Sequence, residues 1–209
     1  MLSTRQMWIV ILLQAFVLLV GSYYATGLAA ERSWLREAYF TQLGLAQQAA
    51  QDAVVFGAIA SQYAIEVSSL RQEQRRTQFE KYVRAVNRDA PAGEIVEAVL
   101  LAESETGIEA SWLLAKLKQE SYFNPKAVSR TGCRGLAQMC KAAAQDVGLK
   151  ASQAFDVAAN VLAGARYLKM QLDATGSMPR ALARYNGNDD PRFVQKIEQH
   201  RARMLRGTS

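Results

Sequence analysis

The chain has 209 residues, half of them hydrophobic, with a formal net charge of +6. That length accommodates one enzyme domain plus an accessory segment, and the charge suits an anionic partner without choosing among nucleic acid, acidic lipid and an acidic polymer. Two cysteines, Cys133 and Cys140, and one histidine, His200, leave little room for a metal cluster or a serine–histidine–aspartate triad.

No zinc spacing and no basic run interleaved with aromatics occurs, so no nucleic-acid partner is expected. No metal and no cofactor is expected either, which leaves the chemistry to carboxylates, hydroxyls and amides.

Residues Met7 to Val20 are almost continuously apolar, and the stretch from Gln6 to Ala30 carries no charge. It exceeds the ~20 residues that span a bilayer. Trp8, Tyr23 and Tyr24 are candidates for interfacial depth. Residues 1–30 are expected to be a retained transmembrane signal anchor, holding the membrane through residues 7–28. A cleaved signal peptide with its exit near Gly27-Leu28-Ala29-Ala30 is the alternative. Arg5 faces Arg32 and Arg36 on the other flank, so charge gives little guidance on orientation.

From Glu31 to Asp89 there is no proline, and the only glycines are Gly44 and Gly57. Alanine, glutamine, glutamate and arginine favour one long helix or two shorter ones. Phe79, Tyr82, Val83 and Val86 recur at helical spacing. The charged run Arg71–Arg76 reads as a solvated face or a bend. Residues 31–92 are therefore expected to form a helical stalk, with partner subunits docking on the 31–90 helices as the sharper reading.

Ala90-Pro91-Ala92-Gly93 breaks the pattern and is taken as the domain boundary. Beyond it, Ile95, Val96, Val99 and Leu100 form one helical stripe, and Trp112, Leu113, Leu114 and Leu117 form another after Gly107. Helical patterns resume at Lys141–Val147, Val157–Leu172 and Arg180–Tyr185. Tyr122–Met139 between them is irregular and glycine-containing, the kind of loop that carries function.

Glu120 closes the second stripe and is followed by Ser121-Tyr122-Phe123-Asn124-Pro125. Pro125 disfavours helical geometry at Asn124, so the helix should end near Glu120. The partial negative charge at a helix C-terminus opposes ionisation of a carboxyl group there, and flanking aromatics reduce its hydration. A carboxyl kept protonated near neutral pH is what glycosidic cleavage requires of its acid.

Four blocks place this carboxyl in a wider pattern. They are Glu120-Ser121 with Asn124–Ser129, then Gly132–Gln138, then Asn160 with Gly164, Tyr167 and Leu168, and finally Ala181–Gly187. In this order and spacing they resemble the lytic transglycosylases of the soluble-transglycosylase (SLT) type, whose pattern runs E-S-x-F-N-P-x-A-x-S, G-A-x-G-L-M-Q, N-x-x-x-G-x-x-Y-L and A-L-A-x-Y-N. The resemblance covers most of Gly93 to Gln199 and none of the first ninety or so residues. It implies a goose-lysozyme-like domain over residues 93–209 with a small irregular or hairpin insertion; with the transmembrane and helical arm read above, the expected fold is mainly α.

The resemblance further implies Glu120 as the single catalytic glutamate, with Tyr185 beside it. Ser129, Gly135, Gln138 and Asn186 would bind substrate, Gly135 by letting the backbone pass close to the glycan. The implied partner is the glycan strand of peptidoglycan, cut between N-acetylmuramic acid and N-acetylglucosamine. Glu120 would protonate the glycosidic oxygen and then take the proton of the C6 hydroxyl, which closes a 1,6-anhydro ring. Plain hydrolysis is the alternative if Asp189 or Asp190 supplies a second carboxylate, and a catalytically silent wall-binding or scaffold component is another. The implied setting is the inner membrane with the catalytic domain in the periplasm, serving a conjugation or secretion machine, or a virion if the gene is a phage's.

The chain departs from the pattern at Cys133, Ala137, Cys140 and Lys141, which replace alanine, methionine, a second methionine and proline, and at Asn188 after Gly187. If the segment doubles back around Gly135-Leu136-Ala137, Cys133 and Cys140 would come within disulfide reach. Two buried thiols filling the same positions is the competing reading.

Overall fold

The computed structural model describes residues 4–187 and 190–206. Asn188 and Asp189 lie outside the described residues, so the altered spacing after Gly187 and the Asp189 carboxylate have no structural account. Two compact units meet between Val67 and Ser68.

Helix α1 (Thr4–Val86) is a single helix, continuous through the charged run Arg71–Arg76, where the sequence also allows a bend. In the first unit it is the sole element, and no described side chain there is buried. Leu12, Phe16, Leu18 and Leu19 each expose more than half of their surface. By length and composition the helix is apolar enough to cross a membrane.

The second unit is a bundle of α2 (Ala92–Thr106), α3 (Ala110–Ser121), α4 (Lys141–Asp146), α5 (Val157–Thr175), α6 (Met178–Tyr185) and α7 (Pro191–Leu205), with a short 3₁₀ turn at Ala151–Gln153. Apolar stripes account for the packing. Ile95, Val96 and Val99 of α2 are fully covered, as are Leu114 of α3, Leu168 of α5, Leu182 of α6 and Ile197 of α7. Gly107 ends α2 in the left-handed conformation (φ 71°), its N–H bonding to the Glu103 carbonyl at 2.8 Å. Helix α7 lies outside the three patterns read from the sequence. Its own signals are Pro191 at the first helical position and Asp190, whose carboxylate accepts from the Arg192 N–H at 2.9 Å.

The packed unit does not begin at Gly93. Phe79, Tyr82 and Val83 from the end of α1 are 3%, 5% and 0% exposed and belong to the same core as α2 and α3. Tyr82 packs edge-on against Phe123 with ring centroids 6.0 Å apart, and Gln78 donates to the Met204 carbonyl at 3.2 Å. Ala90–Gly93 is thus a corner between helices inside one packed body, because the stripe before the corner is covered by elements after it.

Between α3 and α4 the chain forms a narrow hairpin with isolated antiparallel bridges, Val128 to Arg134 and Arg134 to Met139. Arg134 and Met139 exchange both backbone hydrogen bonds, at 3.1 and 2.9 Å. Cys133 and Cys140 flank this pair and are joined by a disulfide, with α-carbons 4.0 Å apart.

Candidate active site

Helix α3 stops one residue after Glu120 because Tyr122 and Phe123 both take left-handed conformations (φ 50° and 60°), after which Asn124 and Pro125 turn the chain away. The Tyr122 N–H closes the helix on the Lys118 carbonyl at 3.1 Å, and Asn124 bonds back to Ser121 at 3.0 Å. Glu120 is thereby held in the last turn with its side chain 14% exposed. Burial pushes its carboxyl above the ordinary carboxylate range, and the neighbouring Lys116 ammonium pulls in the opposite direction.

Lys116 lies one turn earlier on α3 and is 1% exposed, with Nζ 3.7 Å from Glu120 Oε1. Burial pulls its pKa down to about 8 against the opposing pull of Glu120. Nζ donates to the Ala137 carbonyl at 3.3 Å and sits 3.5 Å from the centroid of the Tyr185 ring. The Tyr185 hydroxyl donates to the same Ala137 carbonyl at 2.8 Å and lies 3.1 Å from the Met139 sulfur. Burial, then the Glu120 charge, hold this phenol well above its usual range. Tyr167 packs edge-on against it, with centroids 5.2 Å apart. An ammonium from α3 and a phenol from α6 therefore converge on one hairpin carbonyl, and the Glu120 carboxyl stands beside the ammonium.

Two residues of α5 seat that hairpin. Asn160 accepts from the Ala137 N–H at 2.8 Å and donates to the Arg134 and Ala154 carbonyls at 3.1 and 2.8 Å. Gly164 leaves room for it: a Cβ there would stand 2.4 Å from that of Ala137 and 3.3 Å from the Tyr185 hydroxyl. In the sequence both are motif positions without a role. Lys116 escapes sequence reading altogether, although a lysine inside the apolar run Trp112–Leu117, four residues before Glu120, is a readable signal.

The residues expected to bind substrate divide. Gln138, at φ 49°, turns its side-chain amide inward, donating to the Ala127 and Gly135 carbonyls at 3.2 and 2.9 Å. Ser129 accepts from the Cys133 N–H at 3.0 Å and pairs with Thr131, so its hydroxyl braces the hairpin base. Asn186 is exposed beyond α6, and its backbone N–H closes that helix on the Leu182 carbonyl at 3.1 Å. Gly135 is buried at φ 78°, and a Cβ would stand 2.3 Å from the Ala154 carbonyl and 2.4 Å from Asn160 Nδ2. The close approach that its missing side chain permits here is to the protein's own backbone and Asn160. Asp190 serves as the N-terminal cap of α7.

Residues 97–203 match the family described as the Transglycosylase SLT domain. The chain belongs to this family. Over 91 residues it is 30% identical to a transglycosylase of Enterobacteria phage PRD1, covering 44% of this chain and 34% of that protein. Over 67 residues it is 36% identical to membrane-bound lytic murein transglycosylase F of Desulfosudis oleivorans, covering 32% of this chain and 14% of the relative. The SLT chain thus spans about a third or less of the length of these curated relatives. Among solved structures, the lytic transglycosylase Slt of Pseudomonas aeruginosa, in an inactive mutant, matches 54% of this chain and 24% of its own at 19% identity and a TM-score of 0.47.

Proposed function

We propose that this SLT-family chain cleaves the glycan strands of peptidoglycan between N-acetylmuramic acid and N-acetylglucosamine, with Glu120 as acid and then base. The observation that carries the reading is the Glu120 carboxyl itself: mostly buried, at a helix C-terminus, and held above the ordinary carboxylate range. In the protonated form it gives its proton to the glycosidic oxygen as the bond to C1 breaks. The carboxylate left behind takes the proton from the C6 hydroxyl as that oxygen bonds to C1. The product is a 1,6-anhydro ring, no water is consumed, and Glu120 returns to its starting state. The internal nucleophile gains from proximity. Tyr185 fixes the hairpin beside the carboxyl and tunes it. Ser129, Gln138 and Asn186 line the approach, the first two by shaping the loop that meets the sugar.

In the same reading, residues 7–28 anchor the chain in the inner membrane, α1 from there to about Val67 is a stalk offering its exposed apolar residues to partner subunits, and the catalytic unit works on the periplasmic wall. The context is a machine that must open the wall locally, either a secretion or conjugation system or a phage delivering its genome. The membrane-bound name of one relative and the phage source of another are compatible with these settings.

The test is digestion of purified murein by the full chain and by Glu120→Gln, with mass spectrometry of the released fragments. The reading expects anhydro-ended products from the native chain and a loss of at least two orders of magnitude in the variant, in line with the typical worth of a general acid–base group. Reducing ends would reassign the reaction as hydrolysis. Undiminished activity in a folded Glu120→Gln protein would remove Glu120 from the chemistry.

A further inference from the structure

An ammonium group at 1% exposure in the wall of a site is an unfavourable placement, since an apolar residue of similar size would pack α3 without desolvating a charge. Lys116 has three donors, and its surroundings give them unequal partners. The Ala137 carbonyl accepts at 3.3 Å, the Tyr185 ring presents its face at 3.5 Å, and Glu120 Oε1 stands at 3.7 Å, an ion-pair distance rather than a tight hydrogen bond. The first two contacts hold the ammonium still. The Tyr185 hydroxyl bonds to the same Ala137 carbonyl at 2.8 Å, so α3, α6 and the hairpin are tied at one oxygen.

We infer that Lys116 is the positioning residue of Glu120: its immobilised ammonium is the fixed counter-charge for the carboxylate that forms once Glu120 has given up its proton. This rests on the reading of Glu120 as acid and then base, and deepens it. A single carboxyl that must act both ways spends the middle of the cycle ionised, in a mostly buried place, next to the negative end of its own helix. With Lys116 charged, that mid-cycle state is a neutral ion pair. The proton inventory closes without moving a proton from Nζ. Glu120 loses one proton to the leaving oxygen and regains one from the C6 hydroxyl, while Lys116 keeps its own. Because the ammonium addresses Oε1, Oε2 is left to carry the proton that is transferred.

Among the described residues, the charged and titratable groups around the pair are few. Lys116 itself comes from α3, Tyr185 from α6, and Tyr167 from α5 behind Tyr185. The hairpin contributes the Ala137 carbonyl. Helix α7 presents His200, which meets Gln119 rather than Glu120, with Nε2 3.3 Å from Oε1. Lys116 is thus the cation set to govern the Glu120 titration.

The experiment uses the full chain in detergent, with the Glu120 carboxyl followed by carbon-13 NMR across pH in the native protein, Lys116→Met and Lys116→Gln. In both variants the Glu120 midpoint should rise by roughly one to three pH units, the usual effect of an opposite charge at this range. The native carboxyl signal should also show a second inflection near pH 8, where Lys116 loses its proton. On murein, the alkaline limb of the rate profile should move up with the midpoint. The optimum rate should fall by up to about tenfold for each unit, because a weaker acid donates less readily. A folded variant with an unmoved midpoint would overturn the inference, and so would a native titration lacking the second inflection, which needs no variant to fold. A native chain inactive on murein but showing both titration effects would refute the transglycosylase reading and leave the Lys116–Glu120 coupling standing.

Discussion

Deleting everything before Gly93 should unfold the catalytic unit, whereas deleting everything before Ser68 should not. The Gly93 fragment loses Phe79, Tyr82 and Val83, all essentially covered by α2, α3 and their neighbours. Fully burying side chains of this size contributes about 1.5–3 kcal/mol each, so the three together supply roughly 5–9 kcal/mol. The whole stability of a typical domain is about 5–15 kcal/mol. Also lost are the Gln78 bond to the Met204 carbonyl, the Arg75–Glu103 ion pair at 2.6 Å and the Asn87 bond to the Tyr122 carbonyl at 3.2 Å. The last of these braces the turn that ends the Glu120 helix. Thermal unfolding followed by circular dichroism, with dye binding to detect exposed apolar surface, separates the two fragments. The Ser68 fragment should melt cooperatively, and the Gly93 fragment should show no cooperative transition or one lowered by tens of degrees. Phe79→Ala within the Ser68 fragment gives a graded check: about 3–5 kcal/mol, or on the order of 10 °C. A Gly93 fragment melting within a few degrees of the longer one would refute the assignment of α1's last turns to this core.

Gly164→Ala should cost about 1–3 kcal/mol and lower murein turnover together, because its Cβ would stand 2.4 Å from Ala137 and push on the hairpin that holds Tyr185; a melting curve and a turbidity assay on one preparation check both. Reducing the Cys133–Cys140 bridge should cost about 2–3 kcal/mol for so short a loop, and thiol titration of the denatured, non-reduced protein should find no free thiol.

Much of the helical scaffold is legible because its signals are local. Gly107 ends α2, Pro125 signals that α3 must end before it, and the alternation of covered and exposed residues in α2, α3 and α5 follows the 3.6-residue period. The charged run Arg71–Arg76 is ambiguous on local grounds: the same residues suit a bend or a solvated face, and within α1 they are a face. Helix α7 has equally local start signals in Asp190 and Pro191, but the polar composition that follows them masks its thin apolar stripe. Phe79, Tyr82 and Val83 are a different case. Their spacing shows that one helix face wants covering, but nothing near them says that the cover comes from beyond Pro91.

The active site divides along the same line. Glu120 can be found from its own neighbourhood, since the helix end that perturbs it is written in the next five residues. Lys116 cannot be interpreted that way. A lysine in an apolar stripe ordinarily extends its stem to solvent, and what keeps this one inside is the Ala137 carbonyl, 21 residues away. Gly135 is hard to interpret for the complementary reason. A glycine in a family motif invites the inference that a ligand comes close, yet the atoms that require its missing Cβ are the Ala154 carbonyl and Asn160 Nδ2. Both residues have partners distant in sequence, and both sets of contacts involve the hairpin. The hairpin is therefore where substitutions should couple. A change at Asn160, Gly164 or Ala137 moves the one carbonyl that fixes Lys116 and Tyr185, so it should reach Glu120 through its counter-charge without touching the carboxyl itself.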